Sequence, residues 1–296
     1  MKIENNDFFI YQHALLSKSL PHENKTFDER EIKKILKSTR TLFFRYTSGA
    51  TIPLPSENAT ESTDKTGCWW YCIKDEPIFW EKLSSKQRYR IRKGLNNTSI
   101  GITTPEEIER QYEEIYNAIV NSYSDYPKVY QPKLTETATI QSLKDASNSK
   151  DSDVWLCRNQ STQQIIGYAL CTKHDDTMVN LTAVKIDPEF LKTEVNAALA
   201  YRICEHYIND LGYKYICDGE RNIKHITSYQ DFLIRVVGFR RAYCKLHIIY
   251  HPYVKPLINL LYPFRKLISK TSAKNKLLYN LSCILKQEEY HKCCNS

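Results

Sequence analysis

The stretch 213–250 constrains the fold most strongly, because it reads as a strand, a polar turn, a helix, a glycine turn and a second strand. The apolar run 213–217 predicts a strand that ends at Asp218-Gly219, a pair typical of breaks. Apolar residues then recur three and four positions apart over 226–237, which predicts a helix that Gly238 ends. A second strand is expected over 242–250.

The polar connection after the first of these strands is a candidate functional site. It contains Asp218, Glu220, Arg221, Asn222 and His225. In open α/β sheets, ligands bind beyond the carboxyl ends of the strands, so this position favours a role in binding or catalysis. Asp-Gly and Asn also form ordinary turns, so a purely structural connection is the alternative.

Length and composition indicate a globular chain. It has 296 residues, of which 42% are hydrophobic, enough for one large or two small domains. We expect no secretory signal and no membrane span, because the start is polar and no apolar run approaches 18 residues. The cysteines in apolar runs are expected to be reduced and to pack as small hydrophobic residues: Cys157, Cys171, Cys204, Cys217 and Cys244. No second Cys or His pair stands at zinc-site spacing, so no metal is expected.

Two segments carry much of the formal net charge of +8. Residues 251–296 hold eight Lys or Arg against Glu288 and Glu289, and their apolar residues recur at helical spacing around Pro263. This pattern predicts a basic amphipathic tail, which either lies on an anionic membrane surface or packs on the domain. Residues 82–93 include six basic residues and predict a helix capped by Ser84 or Ser85 and ended by Gly94. This helix either binds an anionic partner or is simply solvated.

The order of elements resembles that of the GNAT acyltransferase superfamily. Residues 98–250 read strand, two helices, three strands, helix, strand, helix, strand, with the segment 232–239 and the strand-to-helix junction 183–197 adding to the likeness. The basic helix at 83–93 is similar to the one preceding the acyltransferase domain in Fem-type peptidyltransferases. Residues 218–223 and 238–244 resemble GNAT-like proteins of bacterial envelope-polysaccharide gene clusters.

This resemblance implies an α/β (α+β) fold with a GNAT-like, mixed, mostly antiparallel twisted sheet flanked by helices. We expect a reduced N-terminal half over 1–97, an acyltransferase domain over 98–252 and the basic helical tail over 253–296. An acyl donor would lie between the strands 178–186 and 213–217, with its phosphates at a helix that begins near Lys192. The expected donor-binding residues are Val184, Ile186, Lys192, Thr193, Val195, Asn196, Ala197 and Tyr229.

The chain departs from the superfamily at its phosphate-binding motif. That motif is Gln or Arg, two residues, Gly, one residue, then Gly or Ala. Lys192 and Ala197 fit it, but Val195 stands at the first glycine, where a side chain crowds a phosphate. Acyl-CoA (acetyl-CoA) is still the expected co-substrate, with no tightly bound cofactor, and the departure adds weight to an aminoacyl-tRNA donor.

The catalytic candidates follow from the same resemblance. Glu220 is preferred as the general base over Asp218, which we expect to cap the turn, and His225 is a third candidate. Ile234 stands where the superfamily has its proton-donating tyrosine, so Tyr229 or Tyr243 would have to replace it.

Three functions are therefore open. The first is an acyltransferase that acts on an amine or hydroxyl of a cell-envelope sugar or related precursor, most simply as an N-acyltransferase. The second is a Fem-type aminoacyl or peptidyl transferase, whose basic helix would bind tRNA with steep salt dependence. The third is a catalytically silent binding protein. We expect a cytoplasmic location, either free or at the inner face of the membrane.

Overall fold

The computed structural model describes residues 7–52, 69–126, 131–223, 228–272 and 275–295. The expected mixed, mostly antiparallel α/β fold is confirmed. The first half contains β1 (Phe8–Tyr11), β2 (Ala14–Ser17), α1 (Glu29–Thr39), β3 (Phe43–Ser48), β4 (Trp69–Lys74), α2 (Ser85–Asn97), β5 (Thr98–Ile102), α3 (Pro105–Arg110), α4 (Tyr112–Asn121) and α5 (Glu136–Asn148). The second half contains β6 (Ser152–Asn159), β7 (Ile165–His174), β8 (Met178–Ile186), α6 (Val195–Cys204), β9 (Tyr215–Glu220), α7 (Tyr229–Val237), β10 (Arg240–Tyr250), α8 (Val254–Leu261), α9 (Arg265–Thr271) and α10 (Lys276–Asn295).

The chain forms two compact units. The first comprises Met1–Tyr71, Glu220–His225 and Arg241–Ser296, and the second comprises Cys72–Gly219 and Ile226–Arg240. Both units are therefore built from segments that are distant in sequence.

In the first unit, the strand order is β1-β2-β3-β10. Among its described pairings, β2 and β3 are parallel, whereas β1 with β2 and β3 with β10 are antiparallel. Helix α1 is capped by Asp28, whose carboxylate accepts hydrogen bonds from the backbone N–H groups of Arg30 and Glu31. Its buried residues Ile32 and Leu36 join a core of Phe8, Leu15 and Phe44. The apolar side of α1 therefore packs against one face of this sheet.

In the second unit, the strand order is β9-β8-β7-β6-β5. The pairs from β5 to β8 are antiparallel, and β9 runs parallel to β8. Helices α3, α4 and α5 cover the sheet through an apolar core that includes Ile108, Ile115, Ile140, Val154 and Leu156.

Helix α2 differs from its expected end. Ser84 caps it as predicted, in a reciprocal capping box with Gln87. Gly94 does not end the helix, which continues to Asn97. Gly94 is instead buried against α6, where an added Cβ would overlap the backbone oxygen of Glu194. The glycine serves close packing of two helices rather than termination.

The stretch 188–210 is not one continuous helix but is divided into three parts. Pro188–Thr193 forms a 3-10 helix, α6 follows from Val195, and Glu205–Asp210 is a π-helix. The break lies at Glu194, which has a left-handed backbone with φ of +65°. Similarly, β9 does not stop before Asp218-Gly219 but continues to Glu220, because Gly219 adopts φ of +89° inside the strand.

The C-terminal tail is helical as expected, with a 3-10 turn at Tyr262–Phe264 around Pro263. None of the described helices combines the length and apolar content that crossing a membrane requires. The five cysteines expected to be reduced are free and buried. Cys293, which is not one of these five, forms a disulfide.

Candidate active site

Strands β8 and β9 part soon after they begin, as the expected donor slot requires. Among the described residues, their parallel pairing covers Met178 with Tyr215, Val179 with Ile216, and Asn180 with Cys217. Strand β8 continues for six more residues to Ile186, and no described residue pairs with it on that side, whereas β9 continues to Glu220. The gap therefore opens immediately after Asn180 and Cys217.

A β-bulge in β8 lies at the same point. Leu170 of β7 pairs with Ala183, but the next residue, Cys171, pairs with Leu181, so Thr182 is the extra residue. A bulge bends its strand and increases the local twist. The bulge therefore lies two residues beyond the last pair between β8 and β9.

Asp218 is the first residue of β9 beyond the paired region. Burial raises the pKa of its carboxyl group to about 7, although a hydrogen bond with Gln230 acts in the opposite direction. A carboxylate with a pKa near neutrality can accept a proton at physiological pH and release it again. Asp218 thus has the protonation behaviour of a general base.

Tyr229 opens α7 near this carboxyl group. Burial raises the pKa of its phenol well above the ordinary value, and the negative charge of Asp218 adds to the effect. Its ring stacks on Phe232 at a centroid distance of 5.8 Å. A phenol held neutral beside a titrating carboxyl group can donate a proton while the carboxylate accepts one.

The expected phosphate-binding helix begins at Val195 rather than near Lys192. Lys192 is exposed, and the Thr193 hydroxyl donates to the Phe190 carbonyl oxygen at 2.6 Å. Val195 and Ala197 are fully buried, and Asn196 is partly buried. The first turn of α6 therefore offers few free side-chain donors to an anion.

A carboxylate already lies at the start of α6. Glu194 forms a salt bridge with Arg90 of α2, with Oε2 at 2.7 Å from Nη2. The guanidinium of Arg90 also lies 5.0 Å from the ring centre of Phe232. An ion pair and a packed helix therefore lie at the start of α6, where we expected the phosphates of the donor.

Glu220 belongs to the first unit, where its carboxylate is already engaged. Arg45 Nη2 lies 2.7 Å from Oε2, and the Tyr71 hydroxyl donates to Oε1 at 3.3 Å. Thr47 Oγ1 lies 2.7 Å from the Tyr71 hydroxyl, and Arg45 also donates to Gln287 at 3.1 Å. The Glu220 carboxylate is therefore held by a guanidinium and a phenol hydroxyl.

The remaining candidates are distributed as follows. Val184 and Ile186 lie on the part of β8 that has left β9, where they pair with Ala169 and Gly167 of β7. Tyr243 is partly buried on β10 in the first unit. His225 lies outside the described residues. The structure thus groups Asp218 and Tyr229 in the second unit, and places Glu220 and Tyr243 in the first.

Sequence reasoning missed Gln230 and Arg90. Gln230 is 5% exposed and shares the buried face of α7 with Leu233 and Val237. A polar residue on an otherwise apolar helix face was the available signal. Arg90 gave no such signal, since it is one of several basic residues on α2. Within the described residues, no three His, Cys, Asp or Glu side chains are placed to hold a metal ion.

The chain is similar in structure to several solved proteins, all at low sequence identity. The C-terminal domain of a putative lysylphosphatidylglycerol synthetase from Agrobacterium fabrum is 7% identical, with a TM-score of 0.53 over 86% of this chain and 82% of that one. L-PGS from Bacillus licheniformis is 11% identical, with a TM-score of 0.50 over 86% and 83%. A conserved protein of unknown function from Bacteroides thetaiotaomicron is 10% identical, with a TM-score of 0.50 over 82% and 83%.

No protein-family model matches the sequence, and no curated protein matches it either. Identities at this level establish the fold and not the activity. The parted strands β8 and β9, the bulge in β8 and the mostly antiparallel sheet together define a GNAT-like fold.

Proposed function

We propose that this protein is an acyltransferase that moves an acyl group from an activated donor to an amine or hydroxyl of a cell-envelope sugar or related precursor. The observation that carries the proposal is the gap between β8 and β9, with Asp218 at its mouth. A strand edge without a partner can pair with the amide groups of an extended donor. An acceptor held beside that donor needs a base and a proton donor.

The two side chains at the gap supply these groups. Asp218 takes the proton of the acceptor as its nitrogen or oxygen bonds to the acyl carbon. The bond from that carbon to the leaving sulfur or oxygen then breaks, and Tyr229 protonates the leaving atom. Asp218 finally returns its proton to the Tyr229 phenolate. The two groups are close enough for the charge of Asp218 to raise the pKa of Tyr229.

The leaving group distinguishes two classes of donor. The pKa of Tyr229 lies well above the ordinary value, so its phenol is a weak acid. A thiolate is a weak base that needs little protonation, whereas an alkoxide is far more basic and requires it. Tyr229 therefore matches an ester donor, such as aminoacyl-tRNA, better than a thioester such as acetyl-CoA.

The start of α6 favours the same donor. A coenzyme A pyrophosphate bound there would meet the Glu194 carboxylate and the Arg90–Glu194 ion pair. The buried Val195 side chain also limits the close backbone approach that a phosphate needs. The Agrobacterium fabrum neighbour is named as a putative lysylphosphatidylglycerol synthetase, a name that describes an aminoacyl product. Acyl-CoA is the second donor candidate, because the slot itself suits its extended arm.

Calorimetry with acetyl-CoA and, separately, with in vitro charged aminoacyl-tRNA tests the donor. We expect heat from aminoacyl-tRNA, with affinity falling steeply as salt rises. A Glu194→Gln variant should gain affinity for acetyl-CoA if pyrophosphate binds at α6, with the exposed neighbour Glu189→Gln as control. Heat from neither donor would contradict the proposal and support a binding protein without catalysis.

Transfer of a radiolabelled acyl group to a panel of amino sugars tests the catalytic roles. Asp218→Asn should retain donor binding and lose about 10²–10⁴-fold in rate, as expected for removal of a general base. Tyr229→Phe should lose rate mainly with ester donors. Asp176→Asn, at an exposed turn, is the matched control. A larger loss in Glu220→Gln than in Asp218→Asn would transfer the role of base to Glu220.

A further inference from the structure

An exposed apolar stripe runs along α8, the Tyr262–Phe264 turn and α9. Its members recur at intervals of four, three, four and three residues, so they share one helical face. Their exposed fractions show that nothing in the described chain covers them: Tyr253 84%, Leu257 51%, Leu260 68%, Phe264 56% and Leu267 62%. We call these five residues the tail stripe.

The tail stripe is distinct from the face that packs on the protein. Ile258 is 2% exposed, and Val254, Leu261 and Ile268 are partly buried. One apolar side of this segment is therefore buried in the first unit, and a second apolar side faces solvent. A contiguous exposed apolar patch on a helix marks an interaction surface.

The charges around the tail stripe are of one sign. Residues 251–287 contain no Asp or Glu, and Lys266 and Lys270 are exposed beside the stripe. The two acidic residues of the tail, Glu288 and Glu289, already lie beside basic residues of the protein. Glu288 is buried near Lys255 and Lys292 and accepts a hydrogen bond from Tyr250, whereas Glu289 pairs with Lys286 and Arg265.

We propose that the tail stripe inserts into the surface of an anionic lipid bilayer, with Lys266 and Lys270 contacting lipid phosphates. An apolar helical face flanked by lysines has the pattern of helices that lie in the membrane interface. Charge complementarity selects this partner over a second copy of the chain, because two copies of the stripe would bring lysines of like charge together. The proposal goes beyond the transfer reaction, since it concerns where the protein resides.

Vesicle sedimentation of the full chain provides the test. Wild type should sediment with vesicles of phosphatidylcholine and 30% phosphatidylglycerol, and far less with phosphatidylcholine alone. The double variant Lys266→Glu and Lys270→Glu should bind at least about tenfold more weakly, because each lysine near an anionic surface contributes severalfold. Its matched control is Lys150→Glu, at another exposed lysine.

The apolar contribution is tested in the same assay. Leu260→Ser combined with Phe264→Ser should reduce binding at least about tenfold, because the apolar area that enters the interface is removed. Leu211→Ser is the matched control, since Leu211 is 54% exposed in the second unit. Circular dichroism of each variant checks that the fold is retained.

Two results would overturn the proposal. The first is binding that does not differ between the two vesicle compositions or between wild type and the stripe variants. The second is self-association without vesicles that Leu260→Ser and Phe264→Ser abolish in sedimentation velocity, because a second copy would then cover the stripe. Neither result depends on an acyl donor, so failure here is distinguishable from failure of the proposed transferase function.

Discussion

Gly94→Ala is the substitution whose effect the structure predicts most directly. Gly94 lies within α2 at its contact with α6, and a Cβ built there overlaps the backbone oxygen of Glu194 and lies 2.8 Å from the Ala198 Cβ. Neither neighbour is the flexible end of a long side chain. The two helices must therefore move apart, and the start of α6 must move with them.

The magnitude follows from two opposing effects. Overpacking of a well-packed contact costs roughly 1–3 kcal/mol. Replacing glycine by alanine inside a helix returns about 1 kcal/mol through helix propensity. Because the nearest neighbour is a backbone oxygen, which cannot yield as a side chain can, the overpacking cost lies in the upper part of its range. We therefore expect a net loss of about 1–2 kcal/mol, which lowers the urea midpoint by roughly 0.5 M.

Urea unfolding followed by far-ultraviolet circular dichroism measures this shift. Gly101→Ala is the control, because a Cβ at Gly101 of β5 meets no atom within 4 Å. The reasoning predicts a lower midpoint for Gly94→Ala and an unchanged or slightly higher one for Gly101→Ala. Equal midpoints for the two variants would refute the interpretation of Gly94 as a packing glycine.

Two further predictions concern stability. The pKa of Asp218 is raised from 3.8 to about 7 in the folded protein, so its contribution to stability is complete below pH 4 and is lost as pH rises to 7. Asp218→Asn should remove this pH dependence of the unfolding free energy. At pH 8 the variant should be more stable than wild type by up to about 4 kcal/mol in urea unfolding. A variant that is no more stable than wild type at pH 8 would contradict the raised pKa. Ser84→Ala should cost about 1 kcal/mol, because it removes the cap of α2, and an unchanged urea midpoint would show that the cap is dispensable.

Local patterns predicted the elements that local interactions determine. The bounds of β8, the cap at Ser84 and the end of α7 at Gly238 all agree with what the sequence predicts. Gly238 adopts φ of +77°, as a C-terminal glycine cap requires. These features depend on residues within a few positions of one another, so a short stretch of sequence is enough to predict them.

The features that depend on tertiary neighbours were read incorrectly or missed. Gly94 has the local pattern of a helix end, and only the approach of α6 gives it a different role. Asp218 reads as a turn residue, whereas burial and Gln230 determine its pKa. The engagement of Glu220 by Arg45 likewise joins residues 175 positions apart, which no local pattern records. The burial of Asp218 and the ion pair of Glu220 are therefore tertiary features that the local sequence does not predict.

The most direct test of the proposed donor slot is residue-resolved amide hydrogen exchange over 181–186 of β8, with and without saturating aminoacyl-tRNA or acetyl-CoA. In the free protein, the backbone N–H groups of 181–186 that do not donate to β7 should exchange rapidly, because β9 does not pair with this part of β8. One of the two donors should then slow their exchange by at least about tenfold, because these N–H groups would form hydrogen bonds with the bound donor. Full protection in the free protein, or exchange unaffected by either donor, would contradict the central claim that the gap between β8 and β9 holds the acyl donor.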